Sequence, residues 1–258
     1  MEVLQQRQTS ACNACKDGHS EPFPFTMAFQ PIVNVETGRV YAYEALARGP
    51  EQQSAGFVLN QVNDENLYAF DQACRVKAIT LAAQLGLAET GAMLSINFLP
   101  GAVYSPAACI QLTLKTARAV GFPLDRLIFE IVEVEKVASS QHLMDIINEY
   151  RRCGFRLALD DFGAGWAGLG LLADVQADAV KLDIDLIRGI HKRPRALAIV
   201  ESMALLSESL HFNVVAEGVE TFDEYHALRD CGIKLMQGYL FARPGFESLP
   251  AVTLPEHR

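Results

Sequence analysis

Arg156-Leu157-Ala158-Leu159-Asp160-Asp161-Phe162-Gly163 sets three apolar residues directly before two adjacent carboxylates and a glycine. So short an apolar run, stopped this abruptly, reads as a buried strand and not as a helix. Two neighbouring aspartates at its end repel one another and lose hydration, a cost that a cation between them would offset. Taken alone, the segment has an ordinary alternative, a solvated Asp-Asp turn. The same grammar recurs along the chain, and the recurrence decides the fold.

Working outward, strands are expected at 92–98 and 126–132 upstream, then at 179–183, 213–217 and 234–240 downstream. Between them lie helical stretches near 104–120, 139–152, 166–174, 194–210 and 221–231. A longer helical region covers 55–87, broken once near 63–66. Before it, 26–33 and 40–46 read as strands joined by the turn Glu36-Thr37-Gly38-Arg39, hence an antiparallel hairpin. Gln30 and Pro31 interrupt the first of these strands. Repeated β-α alternation with apolar strands means a parallel sheet covered by helices. Eight strands in about this length favour a (β/α)₈ TIM-like barrel with an antiparallel first strand over an open sheet. No Gly-x-Gly-x-x-Gly follows any strand, which argues against a dinucleotide fold.

With 258 residues, 50% of them hydrophobic, the chain can bury one barrel-sized core. The expected division is a leader over 1–24, one domain over 25–248 and a tail over 249–258. A formal net charge of -9 argues against a nucleic-acid polymer as partner. Residues 1–20 contain no apolar signal region, and no apolar run approaches the ~20 residues of a membrane helix. The expectation is a cytoplasmic protein with no membrane partner. Of six cysteines, four are scattered singly and read as buried thiols. Cys12-Asn-Ala-Cys15 is half a zinc or redox site, which His19 would extend, but no second CxxC completes it. A flexible leader is the simpler reading.

Polar residues fall at the strand ends. Glu44 closes the second strand, Asn97 the third, and Glu130 the fourth, with Glu133 just beyond. Asp160 and Asp161 end the fifth strand, Lys181 and Asp183 the sixth; Glu217 and Glu220 follow the seventh, and Gln237 lies in the last. In a barrel these ends share one rim, where catalytic residues gather. Each has an ordinary alternative: a salt-bridged strand end for Glu44 or Glu217, a turn cap for Asn97, a snorkelling Lys181. Together they make an anionic bowl that needs compensation. Carboxylates and an amide are hard donors suited to Mg²⁺ or Mn²⁺, and the histidines avoid these positions, which argues against zinc. Two ions bridged by one aspartate suit phosphodiester hydrolysis. Lys181, held in a cationic neighbourhood, would then have its pKa lowered enough to help deprotonate the attacking water.

At this point the sequence resembles the EAL-domain cyclic di-GMP phosphodiesterases of bacteria, from Phe29 to Pro244. The motifs occur in order: Gln30-Pro31-Ile32-Val33, Glu44-Ala45-Leu46-Ala47-Arg48, Ser95-Ile96-Asn97, Phe129-Glu130-Ile131-Val132-Glu133 and Asp160-Asp161-Phe162-Gly163. Val180-Lys181-Leu182-Asp183, Ala216-Glu217-Gly218-Val219-Glu220-Thr221 and Gln237-Gly238-Tyr239-Leu240-Phe241 complete the series. The resemblance implies an EAL-type barrel that hydrolyses cyclic di-GMP to linear pGpG with two Mg²⁺ or Mn²⁺ ions. It implies that Glu44, Asn97, Glu130 and Asp160 hold one ion, and Asp160, Asp161 and Glu217 the other. Lys181 would orient or deprotonate water, Gln237 would position solvent or phosphate, and Glu133 would brace the loop after the double aspartate. Gln30, Leu46, Arg48, Asp183, Glu220 and Pro244 would contact the dinucleotide, Asp183 at a guanine edge and Arg48 at a phosphate. A homodimer is also implied.

Two departures stand out. Ala164-Gly165-Trp166-Ala167-Gly168-Leu169 replaces the family's Thr-Gly-Tyr-Ser-Ser-Leu, and Val132 stands where threonine is usual. Hydroxyls that would order the loop are gone, while the ligand positions are complete. A different class of function remains as the alternative: a catalytically silent EAL module that binds cyclic di-GMP and reports it to a partner. Silent members typically lack ligands that this chain retains. A barrel glycosidase would use two carboxylates and leave Asp161, Asn97 and Lys181 without a task.

Overall fold

The computed structural model describes residues 21–132, 140–164 and 168–255. In the opening hairpin, β1 (Thr26–Asn34) and β2 (Arg39–Arg48) pair antiparallel from Thr26↔Arg48 to Asn34↔Arg39. Asn34 shapes the turn, its Oδ1 accepting from the N–H groups of Glu36 and Thr37 at 3.1 and 3.0 Å. The strand runs unbroken through Gln30 and Pro31, contrary to the interruption expected from the sequence. The reason lies in its neighbours: one partner meets β1 at Ala28 and Phe29, another at Val33 and Asn34. Pro31 falls in the gap between them, where its missing N–H removes no ladder bond on that side.

The chain then alternates through β3 (Met93–Phe98), β4 (Leu127–Val132), β5 (Arg156–Phe162), β6 (Ala179–Leu182), β7 (Asn213–Ala216) and β8 (Leu235–Met236). Neighbours from β2 to β8 pair parallel, and β8 returns to β1 antiparallel, closing the barrel. The last barrel strand is much shorter than the expected 234–240, so Gln237 follows it instead of lying within it. Gln237 N–H instead donates to Ala216 O at 2.9 Å, across the gap to β7. Asp183 and Glu217 likewise sit one residue past their strands. A further short strand, β9 (Gly245–Phe246), pairs with β1 at Ala28 and Phe29, on the edge that β8 joins farther along, and had no signal in the sequence.

Helices such as Leu67–Gln84, Ser140–Arg152 and Pro194–Leu210 cover the outside. Among the described residues, no helix is long and apolar enough to cross a membrane. Both chain ends of the described part pack on the barrel. Phe23 stacks on Phe70 at 5.5 Å, and Tyr43 Oη donates to Pro250 O at 3.1 Å.

The barrel interior shows how the site arises. Ile32, Ala42, Met93, Ile128, Ala158, Ala179, Val215 and Leu235 form one buried apolar cluster, with one residue from each barrel strand. Side chains alternate faces along a strand, so the next inward position lies two residues on. From β2 to β8 that step reaches Glu44, Ser95, Glu130, Asp160, Lys181, Glu217 and Gln237. β1 runs the opposite way, so the step there is backward, to Gln30, which pairs in register with Glu44. An apolar layer is therefore overlaid by a layer in which every strand contributes a polar group.

Candidate metal centre and active site

Lys181 stands at the middle of this polar layer, 1% exposed. Its Nζ lies 2.6 Å from Glu217 Oε1, 3.0 Å from Asp160 Oδ1, 3.1 Å from Glu130 Oε2 and 3.5 Å from Glu44 Oε2. Glu44 is held by two amides: Asn97 Nδ2 donates to Oε1 at 2.9 Å and Gln237 Nε2 to Oε2 at 2.8 Å. Ser95 Oγ donates to Glu130 Oε1 at 2.6 Å. Ser95 had no assigned role in the sequence reading, although its place two residues past Met93 marks it as inward-facing.

Asp161 arrives by a different route. Simple alternation would send its side chain outward, away from Asp160. The β5–β6 register shifts between Leu159 and Phe162, and Asp161 adopts φ 53°. Aspartate tolerates this left-handed region better than most side chains. Gly163 follows at φ 102°, where a side chain would be strained. The bulge brings the Asp161 carboxylate within 4.8 Å of ligand atoms on Asp160 and Glu217. A second triad under the same limit comprises Glu44, Glu130 and Asp160. Asp160 belongs to both.

The loops beyond the strands are fastened to each other. Glu224 accepts from the N–H groups of Gly189, Glu220 and Thr221 at 2.8, 3.1 and 3.0 Å, tying the loop after β6 to the loop after β7. Gly238 lets the loop after β8 approach: a Cβ there would stand 2.0 Å from Val219 O.

Burial raises Glu217 to about 8; Lys181 opposes the shift, and the charges of Asp160 and Glu44 add to it. Burial also holds Glu130 well above the usual carboxylate range. Glu44 ends below its ordinary value, because Lys181, Gln237 and Asn97 together outweigh its burial. Desolvation alone would depress Lys181, but Asp160, Glu130, Glu217 and Glu44 hold it well above the usual amine range. The described surroundings of Lys181 are anionic; the cationic neighbourhood expected for it is the one that two bound ions would supply.

A stability prediction follows from Glu217. An acid whose folded pKa is raised contributes stability below its unfolded value of about 4.3 and loses it as pH rises through the folded value. Ion-free protein is expected to melt at progressively lower temperature as pH rises from about 4.3 to about 8, and to level off above that. Saturating Mg²⁺ should suppress that fall where the carboxylate serves as an ion ligand, because such an ion would bind its ionised form. Calorimetry with and without a chelator checks both curves.

The donors fit a pair of hard divalent cations. Both triads offer only oxygen, and Gln237 Oε1 is buried without a hydrogen-bond partner among the described residues. The cleft above them has a volume of about 340 Å³, within the range of small-molecule sites. Gln30, Leu46 and Glu220 contribute to its walls, together with Ile184 and Tyr239, which had no expected role. Arg48, Asp183 and Pro244 lie outside those walls. Arg48 Nη1 donates to Ala47 O at 2.8 Å, and Asp183 Oδ1 accepts from the N–H of Asp185 at 2.8 Å. Glu220 forms a two-pronged ion pair with Arg188, at 2.5 and 3.1 Å. Glu133, Trp166 and the Cys12/Cys15 pair lie outside the described residues.

A family model described as the EAL domain matches residues 21–244. Among curated relatives, the blue light- and temperature-regulated antirepressor BluF of Escherichia coli is 31% identical over 231 residues, covering 90% of this chain and 57% of that protein. Cyclic di-GMP phosphodiesterase PA2567 of Pseudomonas aeruginosa is 26% identical over 249 residues, covering 95% of this chain and 42% of that protein. The chain thus spans only part of the length of these curated relatives. Among solved structures, a standalone versatile EAL protein from Vibrio cholerae O395, in its c-di-GMP-bound form, superposes with TM-score 0.86 at 49% identity, covering 91% of this chain and 98% of that one. Klebsiella pneumoniae BlrP1, in complex with manganese and cyclic diGMP, superposes with TM-score 0.86 at 36% identity, covering 93% of this chain and 61% of that one. The fold, the motif series and these matches agree: the chain belongs to the EAL domain family.

Proposed function

We propose that this protein is a metal-dependent phosphodiesterase that opens cyclic di-GMP to linear pGpG. The observation that carries the reading is the complete second interior layer, with carboxylates from β2, β4, β5 and the end of β7 gathered around Lys181. Glu44, Asn97, Glu130 and Asp160 would hold one Mg²⁺ or Mn²⁺ ion, and Asp160, Asp161 and Glu217 the other. Such ions supply Lewis acidity toward the phosphoryl oxygens and lower the pKa of a bound water.

The chain's own groups do the rest. Lys181 would orient the nucleophilic water or a phosphate oxygen, or help deprotonate that water. Gln237, with its amide nitrogen committed to Glu44, offers its oxygen to ordered solvent. Gln30, Leu46 and Glu220 would contact the dinucleotide from the walls, with Arg48, Asp183 and Pro244 reaching it farther out. Glu133 would brace the loop after β5. A silent cyclic di-GMP receptor could lose its ligands without loss of function, whereas this chain keeps both triads intact.

The test is chromatography of purified protein incubated with cyclic di-GMP, with Mn²⁺, with Mg²⁺ and with chelator. Ion-dependent appearance of pGpG is expected. Tight binding with no product in any ion would establish the receptor reading instead.

A further inference from the structure

Behind the polar layer lies a charged pair that the proposed reaction does not use. Asp71 and Arg75, one turn apart on the helix Leu67–Gln84, are 2% and 0% exposed. Arg75 Nη2 lies 2.5 Å from Asp71 Oδ2, and Nη1 donates to Tyr150 Oη at 2.6 Å. Replacing a buried ion pair with well-packed apolar residues is often neutral or stabilising, so stability alone is a poor reason for this one.

Its contacts suggest another reason. Asp71 Oδ1 accepts from the N–H of Leu99 at 3.0 Å, just past the end of β3 and two residues after Asn97. The Arg75 guanidinium lies over Phe98 at 5.5 Å and Phe129 at 5.6 Å from the ring centres. Phe98 adjoins Asn97 in sequence and Phe129 adjoins Glu130, while Asn97 and Glu130 are register partners across β3 and β4. Strand alternation puts the phenylalanines on the outer face and the two donors on the inner one. The charged pair therefore grips the outside of the barrel where its inside presents Asn97 and Glu130.

We propose that Asp71 is a positioning residue, which fixes the β3 end through Leu99 and so sets Asn97 and Glu130 for the first of the two ions, while Arg75 is the counter-ion of the buried carboxylate. This rests on the two-ion reading above. Asn97 in turn fixes Glu44, so a loosened β3 end would disturb one further donor, Glu44, of the triad that holds Glu130. Partners that orient metal ligands from behind typically contribute about 10- to 100-fold in ion affinity.

The test is a Mn²⁺ titration followed by the electron paramagnetic resonance signal of free Mn²⁺, with no substrate present. Two double variants separate the tie from the charge. Asp71→Leu/Arg75→Met removes both; Asp71→Asn/Arg75→Met removes the charge but keeps an oxygen for the Leu99 N–H. The first is expected to weaken Mn²⁺ binding by about 10-fold or more while melting stays cooperative. The second should stay within about threefold of the parent. Asp71→Ala/Arg75→Met, a smaller variant that also lacks the tie, is held to the same expectation as the leucine double should that one fail to fold. Parent-like titration of a folded variant lacking the tie overturns the proposal, as does equal weakening in variants with and without it. A parent that binds no Mn²⁺ overturns the two-ion reading and this inference with it.

Discussion

On the proposed activity, Asp160→Asn is expected to lower the turnover of cyclic di-GMP by about 10³-fold or more, equivalent to ~4 kcal/mol of barrier. The reason is topological. Asp160 is the residue shared by both oxygen triads, so one substitution would weaken both proposed ion positions at once. Asparagine keeps the shape and one oxygen but loses the negative charge that a divalent cation requires. The folded barrel should persist, because in the ion-free protein the change removes only one of four carboxylates around Lys181. Single-turnover kinetics in saturating Mn²⁺, with circular dichroism as the folding control, measures the effect. Turnover within tenfold of the parent would show that Asp160 does not bridge the ions.

Lys181→Met produces the second large effect, and it appears in two observables. In ion-free protein Lys181 is the one cation in contact with Glu44, Glu130, Asp160 and Glu217 among the described residues. Removing one partner of a buried ion pair typically costs about 3–5 kcal/mol. For a chain of this size that corresponds to a melting temperature lower by roughly 10 °C. Adding Mg²⁺ or Mn²⁺ should restore much of the loss, because the ions neutralise the same carboxylates. Turnover should not return with stability, since the ammonium donor is gone. An ion-free melting temperature equal to the parent's would mean that the layer is compensated in some other way.

Both predictions come from features the sequence showed unevenly. The apolar runs of β3 to β7 and the helices between them were legible because parallel strands are buried on both faces and carry little polar interruption. Glu44, Glu130 and Asp160 were legible because polar groups recur at strand after strand, and the ordinary alternative that serves each one singly does not serve the set. Ser95 was readable by the same period of two, had the apolar layer been aligned strand by strand. Other features depended on contacts between distant parts of the chain. Nothing local announces that Asp161 turns inward, because the bulge arises from pairing with β6. β8 shrinks to Leu235–Met236 because the backbone of Gln237 joins the loop contacts of Ala216 and Val219. The ion pairs of Lys181 left no local trace because its four carboxylate partners sit on four other elements. The Arg75–Tyr150 bond spans 75 residues of sequence and has no periodic signature.

The central claim is that one interior layer of the barrel is a seat for two divalent cations, with Lys181 occupying the middle in their absence. Anomalous diffraction from crystals soaked in Mn²⁺ tests it most directly. Two peaks about 3.5–4 Å apart, one on each side of Asp160, are the expected result. No peak in the mouth at saturating Mn²⁺, with Lys181 still paired to all four carboxylates, would contradict it.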